Sequence, residues 1–180
     1  MRIVGGEWRG RKVSFADIEG LRPTPDRVRE TLFNWLQFHI AGARCLDVFA
    51  GSGILGIEAV SRGASSAFLI ERDSKACAEI ERTIETLGTK QVGLHRGDAI
   101  DMLSTPPNQA YDMVFIDPPF RQDLVAPTIN LLEIHDWLAP GSKIYIEMEA
   151  NSSLTSLPVS WRLGKSKTAG DVAFYLCEKH

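Results

Sequence analysis

Apolar residues along this chain recur in two rhythms, and the switching between them predicts the fold. Residues 45–49, 67–71, 92–95, 113–116 and 143–149 are apolar runs of strand length. Between them, residues 54–62 and 74–87 place apolar positions at helical spacing, a short helix opens at Asp98, and residues 124–138 read as a further helix. This alternation predicts an α/β fold with a doubly wound, mostly parallel sheet. The ending departs from it: residues 160–163 and 172–177 both read as strands with only a glycine-containing linkage between them, so an antiparallel hairpin completes a seven-stranded sheet.

Upstream, residues 2–6 and 9–13 flank a short Gly-containing turn and read as a small β-hairpin. Thr24-Pro25 then supplies an N-cap and a first-turn proline, after which Val28, Leu32, Trp35 and Leu36 recur at helical spacing, and residues 41–43 contain the break. The expected organisation is a hairpin-and-helix extension over residues 1–40 and a main domain over residues 41–180.

Composition narrows the class. A chain of 180 residues, 44% hydrophobic and 24% charged, has room for one well-buried core and the balance of a globular protein in water. No apolar run reaches the length of a membrane span, and the first residues lack a secretory apolar stretch, so the expected compartment is the cytoplasm. The net charge is −3, unevenly spread: Arg2, Arg9, Arg11 and Lys12 against Glu7 give residues 1–12 a sum of +3 and leave −6 for the rest. That segment reads either as an arm for phosphate or as ordinary solvated surface. Cys45, Cys77 and Cys177 form no CxxC pair and read as reduced, mostly buried thiols. His39, His95, His135 and His180 show no metal-ligand spacing, and no metal is expected.

The chemistry concentrates at the ends of the predicted strands, where open α/β sheets bind their ligands. Asp117-Pro118-Pro119-Phe120 follows the apolar run Val114-Phe115-Ile116. A carboxylate there can accept from an exocyclic NH2, the stiff prolines expose a carbonyl for the second N–H, and Phe120 can stack on the base. The plainer reading is a Pro-Pro turn that ends a strand.

The first predicted strand ends in Asp47-Val48-Phe49-Ala50-Gly51-Ser52-Gly53, a loop whose glycines allow close approach of a ligand. Residues 51–56, GSGILG, satisfy GxGxxG, and Glu71 lies 71 − 51 = 20 residues beyond Gly51, which also fits a nicotinamide-dinucleotide fingerprint. Asp47 separates the readings, because an acid before the glycines opposes a pyrophosphate and suits the cationic methionyl end of S-adenosylmethionine. Glu71, followed by Arg72, is placed to accept ribose hydroxyls, or to serve as a helix N-terminal acid. Asp98-Ala99 follows the third strand, where Asp98 either meets an adenine amino group or caps the next helix.

Taken together, these strand-end motifs resemble the class I S-adenosylmethionine-dependent methyltransferases, in the branch that modifies exocyclic amino groups of bases. The segments Leu21-Arg22-Pro23-Thr24-Pro25-Asp26-Arg27-Val28-Arg29-Glu30 and Ile3-Val4-Gly5-Gly6-Glu7-Trp8-Arg9-Gly10-Arg11-Lys12 are similar to those of the bacterial 16S rRNA guanine-N2-methyltransferases of the RsmD type. The resemblance covers nearly the whole chain. It implies a Rossmann-like fold, S-adenosylmethionine as cofactor, and a monomer that methylates a guanine of the guanine-966 type in 16S rRNA, within small-subunit particles or assembly intermediates. Carried over, Asp47, Phe49, Ala50, Gly51, Ser52 and Gly53 line the methionine side, Glu71 and Arg72 flank the ribose, and Asp98 and Ala99 border the adenine. Asp117, Pro118, Pro119 and Phe120 hold the guanine, with Asp117 orienting N2 and also bordering the cofactor. Residues 22–30 cover the methionine end, unless Arg27 and Glu30 are only a surface ion pair. Trp8, Arg9, Arg11 and Lys12 would dock RNA, Trp8 by stacking unless it anchors the hairpin to the core.

Three other functions share parts of this pattern. A DNA amino-methyltransferase acting on adenine N6 or cytosine N4 uses a similar DPP pocket but needs extra mass to flip a base out of a duplex, and residues 42–180 are already committed to the sheet. A nicotinamide oxidoreductase fits the glycine spacing, and a catalytically silent RNA-binding module fits the basic arm.

Overall fold

The computed structural model describes residues 1–15, 24–154 and 157–180. Its elements are α1 (Asp26–Leu36), β1 (Arg44–Asp47), α2 (Ile54–Ser61), β2 (Ser66–Glu71), α3 (Ser74–Leu87), β3 (Val92–Arg96), α4 (Ala99–Leu103), β4 (Tyr111–Ile116), α5 (Val125–Ile134), β5 (Leu138–Glu149), β6 (Trp161–Ala169) and β7 (Val172–Lys179). The strands form one sheet in the order β3-β2-β1-β4-β5-β7-β6. Strands β1 to β5 pair in parallel, and β7 lies antiparallel to both β5 and β6. The expected seven-stranded class I architecture is therefore present. Strand order reverses between β1 and β4, so the loops after these two strands diverge and open a crevice.

Alternation along the central strands feeds two apolar layers. Cys45, Met113, Phe115 and Tyr145 pack with α1, α2 and the N-terminal residues Ile3, Trp8 and Val13. Leu46, Val114, Ile116, Ile144 and Ile146 pack with α4, α5, Trp137 and Trp161. Helix α2 is buried along its whole length, in keeping with its mostly apolar sequence ILGIEAVS, whose two polar side chains, Glu58 and Ser61, are both bonded. The three cysteines are free thiols and buried.

The N-terminal hairpin is reduced to one antiparallel bridge between Arg2 and Lys12. Its turn spends its donors elsewhere: Glu7 N–H bonds the carbonyl of Ser61 at 2.7 Å and Trp8 N–H bonds Ser61 Oγ at 2.9 Å. Gly6 permits this approach, with φ +77° and an added Cβ falling 1.9 Å from Ser61 O. A buried ion pair completes the attachment, Arg29 Nη1 to Glu58 Oε2 at 2.7 Å, and Glu58 also holds Arg62 at 2.9 Å.

Two further expectations are corrected. The helix expected over residues 124–138 ends at Ile134, because Asp136 turns into the left-handed region (φ 56°) and Leu138 already pairs with Tyr111 in the sheet. Thr24 does not cap α1; its hydroxyl is engaged across the cavity, and Pro25 occupies the cap position with no side-chain bond. No helix among the described residues is long and apolar enough to cross a membrane.

Candidate functional site

The C-terminal ends of β1 to β5 and the loops after them, with Thr24, Pro25 and Arg27 at the start of α1, enclose a cavity of about 940 Å³. Of the strand-end residues singled out by sequence, all but Gly53 line it: Asp47, Phe49, Ala50, Gly51, Ser52, Glu71, Arg72, Asp98, Ala99, Asp117, Pro118, Pro119 and Phe120. Arg22 and Pro23 lie outside the described residues.

The glycine loop is shaped by its own backbone. Gly51 and Gly53 have φ of 56° and 76°, a region that favours glycine. Gly53 backs onto the core and not the cavity, since an added Cβ would sit 3.0 Å from Leu69 Cδ1. Gly56 is the third glycine of the GxGxxG match, and a Cβ there would fall 2.3 Å from Leu69 Cδ2, so it serves helix–sheet packing.

Asp47 closes β1 at 1% exposure. Its Oδ2 accepts from Gly56 N–H at 3.2 Å, while its buried Oδ1 has no hydrogen-bond partner. Burial pushes its pKa up to about 7, the Gly56 bond works against that rise, and the charge of Glu71 adds to it. Glu71 is set differently: Oε2 accepts from Gly51 N–H and Oε1 from Asp73 N–H, both at 2.8 Å. The glycine loop is thus tied to the end of β2. Asp98 caps α4, accepting from Ile100 N–H at 2.8 Å and Asp101 N–H at 3.3 Å. Arg72 spans the mouth, with Nη1 3.8 Å from Asp98 Oδ2 and Nη2 donating to Gln122 Oε1 at 3.4 Å.

On the other side of the switch point, Asp117 Oδ2 accepts from the Thr24 hydroxyl at 3.1 Å. Burial, then the neighbouring charge of Glu147, hold the Asp117 carboxyl well above its ordinary range; the Thr24 bond opposes this and Asp47 adds to it. The loop beyond Phe120 is strained, with Arg121 at φ 63° and Asp123 at φ 49°. Sequence reasoning missed three contributors: Glu147 (4% exposed), the Tyr145 hydroxyl that donates to its Oε2 at 2.8 Å, and Thr24 as a partner of Asp117. For Glu147 the available signal was a lone acid at the end of the apolar run Ile144-Tyr145-Ile146.

The basic arm is separate from the cavity lining. Arg9, Arg11 and Lys12 are exposed, whereas Trp8 is 7% exposed and packs in the core. Base stacking by Trp8 is therefore overturned, because its ring is buried among the apolar residues of the first layer. No group of three or more His, Cys, Asp or Glu side chains among the described residues has metal-binding geometry.

The chain matches the family model described as conserved hypothetical protein 95 over residues 1–178. It is 47% identical over 179 residues to the ribosomal RNA small subunit methyltransferase D of Escherichia coli strain K12, covering 99% of this chain and 90% of that protein. Its namesake in Haemophilus influenzae is 44% identical, with 98% and 92% covered. Among solved structures, a putative methyltransferase, yhhF, from Escherichia coli superposes with a TM-score of 0.93 at 44% identity, covering 99% of this chain and 97% of that one. With the sheet order, the strand-end cavity and these similarities in agreement, the chain belongs to the conserved hypothetical protein 95 family, that of the ribosomal RNA small subunit methyltransferases D.

Proposed function

We propose that this enzyme transfers the methyl group of S-adenosylmethionine to the exocyclic N2 of a guanine in 16S rRNA, in small-subunit particles or their assembly intermediates. The observation that carries the reading is the placement of Asp117, at the head of the Pro-Pro-Phe loop, beside the Asp47 end of one continuous cavity. The residues fit the cofactor: the partnerless buried Oδ1 of Asp47 suits a cationic group, and Glu71 stands beside the glycine loop with a carboxylate for ribose hydroxyls. A dinucleotide fits less well, because a buried acid stands where a pyrophosphate would come. We place the adenine beside Asp98 and Ala99.

When bound, S-adenosylmethionine supplies a methyl group already activated on a sulfonium, so the protein contributes positioning and proton handling. Asp117 and the Pro118 carbonyl accept the two N–H groups of the amine, which favours a more tetrahedral nitrogen with its lone pair aimed at the methyl carbon. Methylation of the amine would release one proton from N2. A carboxyl held above its ordinary range is a stronger base than an exposed one, and Asp117 takes that proton. Thr24 fixes the carboxylate through Oδ2. Residues 1–40 serve docking through Arg9, Arg11 and Lys12, and residues 41–180 carry the transfer.

Labelled methyl transfer to naked 16S rRNA, assembled small-subunit particles and DNA in parallel, followed by nucleoside analysis, tests this directly. The expected product is N2-methylguanosine in small-subunit RNA. Label in DNA, or in N6-methyladenosine or N4-methylcytidine, would refute it.

A further inference from the structure

Tyr145 and Glu147 are two apart on β5 and so face the same side of the sheet. The parallel register pairs Phe115 with Tyr145 and Ile116 with Ile146, which makes Asp117 and Glu147 the next neighbours in line, side by side at the strand ends. Both line the same cavity. Glu147 is nearly buried, and the enclosed Tyr145 hydroxyl fixes its orientation by donating to Oε2 at 2.8 Å. A carboxylate offers about four lone-pair sites, and the Tyr145 hydroxyl occupies one of those on Oε2.

Two carboxylates set side by side out of water repel each other, an arrangement that suits a ligand edge carrying adjacent donors. The rise that the charge of Glu147 imposes on the Asp117 carboxyl is the same repulsion seen as proton affinity. The amino bases differ in this respect. Guanine presents N1–H beside N2–H2, a donor next to a donor. Adenine places the N1 lone pair beside N6–H2, and cytosine the N3 lone pair beside N4–H2.

We infer that Glu147 is the specificity-determining residue of the amine pocket, its carboxylate accepting the N1–H of the target guanine while Asp117 holds N2. Adenine or cytosine in the same pose turns a ring lone pair against that carboxylate. A site built around a hydrogen bond rejects analogues that lack the matching group far more strongly than a merely apolar pocket does. The inference rests on the proposed guanine-N2 activity and adds to it the reason for choosing guanine.

The test uses small-subunit particles reconstituted with 16S rRNA that carries, at the position the parent enzyme methylates, either guanine or 2-aminopurine. The analogue keeps the amino group on C2 but has a lone pair at N1. The ratio of kcat/KM on the two substrates is compared between the parent, Glu147→Gln and Tyr145→Phe, so intrinsic differences in amine reactivity cancel. The glutamine amide can donate to the N1 lone pair, so Glu147→Gln lowers the guanine preference by about 10- to 100-fold. Tyr145→Phe, which frees Glu147 from its anchor, lowers it several-fold. An unchanged ratio in Glu147→Gln that still methylates guanine overturns the inference. If that variant does not fold, an unchanged ratio in Tyr145→Phe overturns it instead. A parent enzyme that leaves guanine unmethylated in every particle refutes the proposed function itself, an outcome distinct from an unchanged ratio.

Discussion

Glu71 and Asp98 on the rim of the cavity each have two backbone N–H groups bonded to the side chain, whereas on its floor Asp47 and Glu147 are buried and Asp117 stands beside the charges of both. The rim acids are fixed by the fold before any ligand arrives, because the donors that hold them belong to the loops they shape. The floor acids are held at a cost. Burial raises the carboxyls of Asp47 and Asp117; the charges of Glu147 and Asp47 raise Asp117 further, and Glu71 on the rim raises Asp47. The contrast teaches which chemistry each suits. Preset acceptors fit neutral hydroxyl and amino groups, and strained, desolvated acids fit a cation or a base edge rich in donors.

The largest effect should come from the floor. Asp117→Ala is expected to reduce single-turnover methylation by at least about 1,000-fold, since it removes both the orienting acceptor and the proton acceptor. Near-normal turnover would erase the functional difference between floor and rim.

Asp47 gives the comparison a pH signature. Its carboxyl has a pKa of about 7 in the fold against 3.8 ordinarily, so the native state keeps a proton that the unfolded chain releases. Stability from this group is therefore full below about pH 4, falls as pH rises toward 7, and is level above that. The fall is on the order of 4 kcal/mol. Urea unfolding of the free enzyme from pH 4 to 8 should show Asp47→Asn gaining on the parent by a similar amount across that window. Parallel curves would mean that the floor is not under strain.

Rim substitutions should act through cofactor affinity. Losing a charge-assisted hydrogen bond costs about 1.5 to 3 kcal/mol, so Glu71→Ala and Asp98→Ala should each weaken S-adenosylmethionine binding by about 10- to 100-fold. Glu71→Ala should be the worse of the two, because it also releases the Gly51 N–H that shapes the glycine loop. Equal effects would count against the loop-shaping role.

Much of this site was legible in the sequence, because Asp47, Glu71, Asp98 and Asp117 each stand just past an apolar run or its turn, and local pattern suffices to find a strand end. Glu147 was not legible as a partner of Asp117, since only the parallel register of two strands some thirty residues apart sets them side by side. The raised carboxyls are long-range effects of the same kind. Of the two readings of Trp8, anchoring the hairpin to the core is the one found, and local pattern could not decide between them because what covers the ring comes from distant parts of the first apolar layer, while Ser61 fixes its backbone N–H. The overlong helix at residues 124–138 arose from an apolar run through Trp137 and Leu138, where Trp137 donates to the carbonyls of Leu103 and Thr105 and Leu138 has entered the sheet.

The smallest effect belongs to the arm, outside rim and floor alike. Replacing Arg9, Arg11 and Lys12 with glutamine should weaken RNA binding and flatten its log-log salt dependence by about 0.7 × 3 ≈ 2, if each side chain neutralises one phosphate of single-stranded RNA. Cofactor affinity should stay within twofold. An unchanged slope would move the docking surface to Arg162, Lys165 and Lys167 on β6, which are also exposed.

Calorimetric titration of S-adenosylmethionine into the parent, Asp117→Ala and Glu71→Ala, side by side at one pH, tests the division between rim and floor most directly. The division predicts affinity within a few-fold of the parent for Asp117→Ala and a loss of about 10- to 100-fold for Glu71→Ala. The reverse order, or equal losses in both, would contradict it.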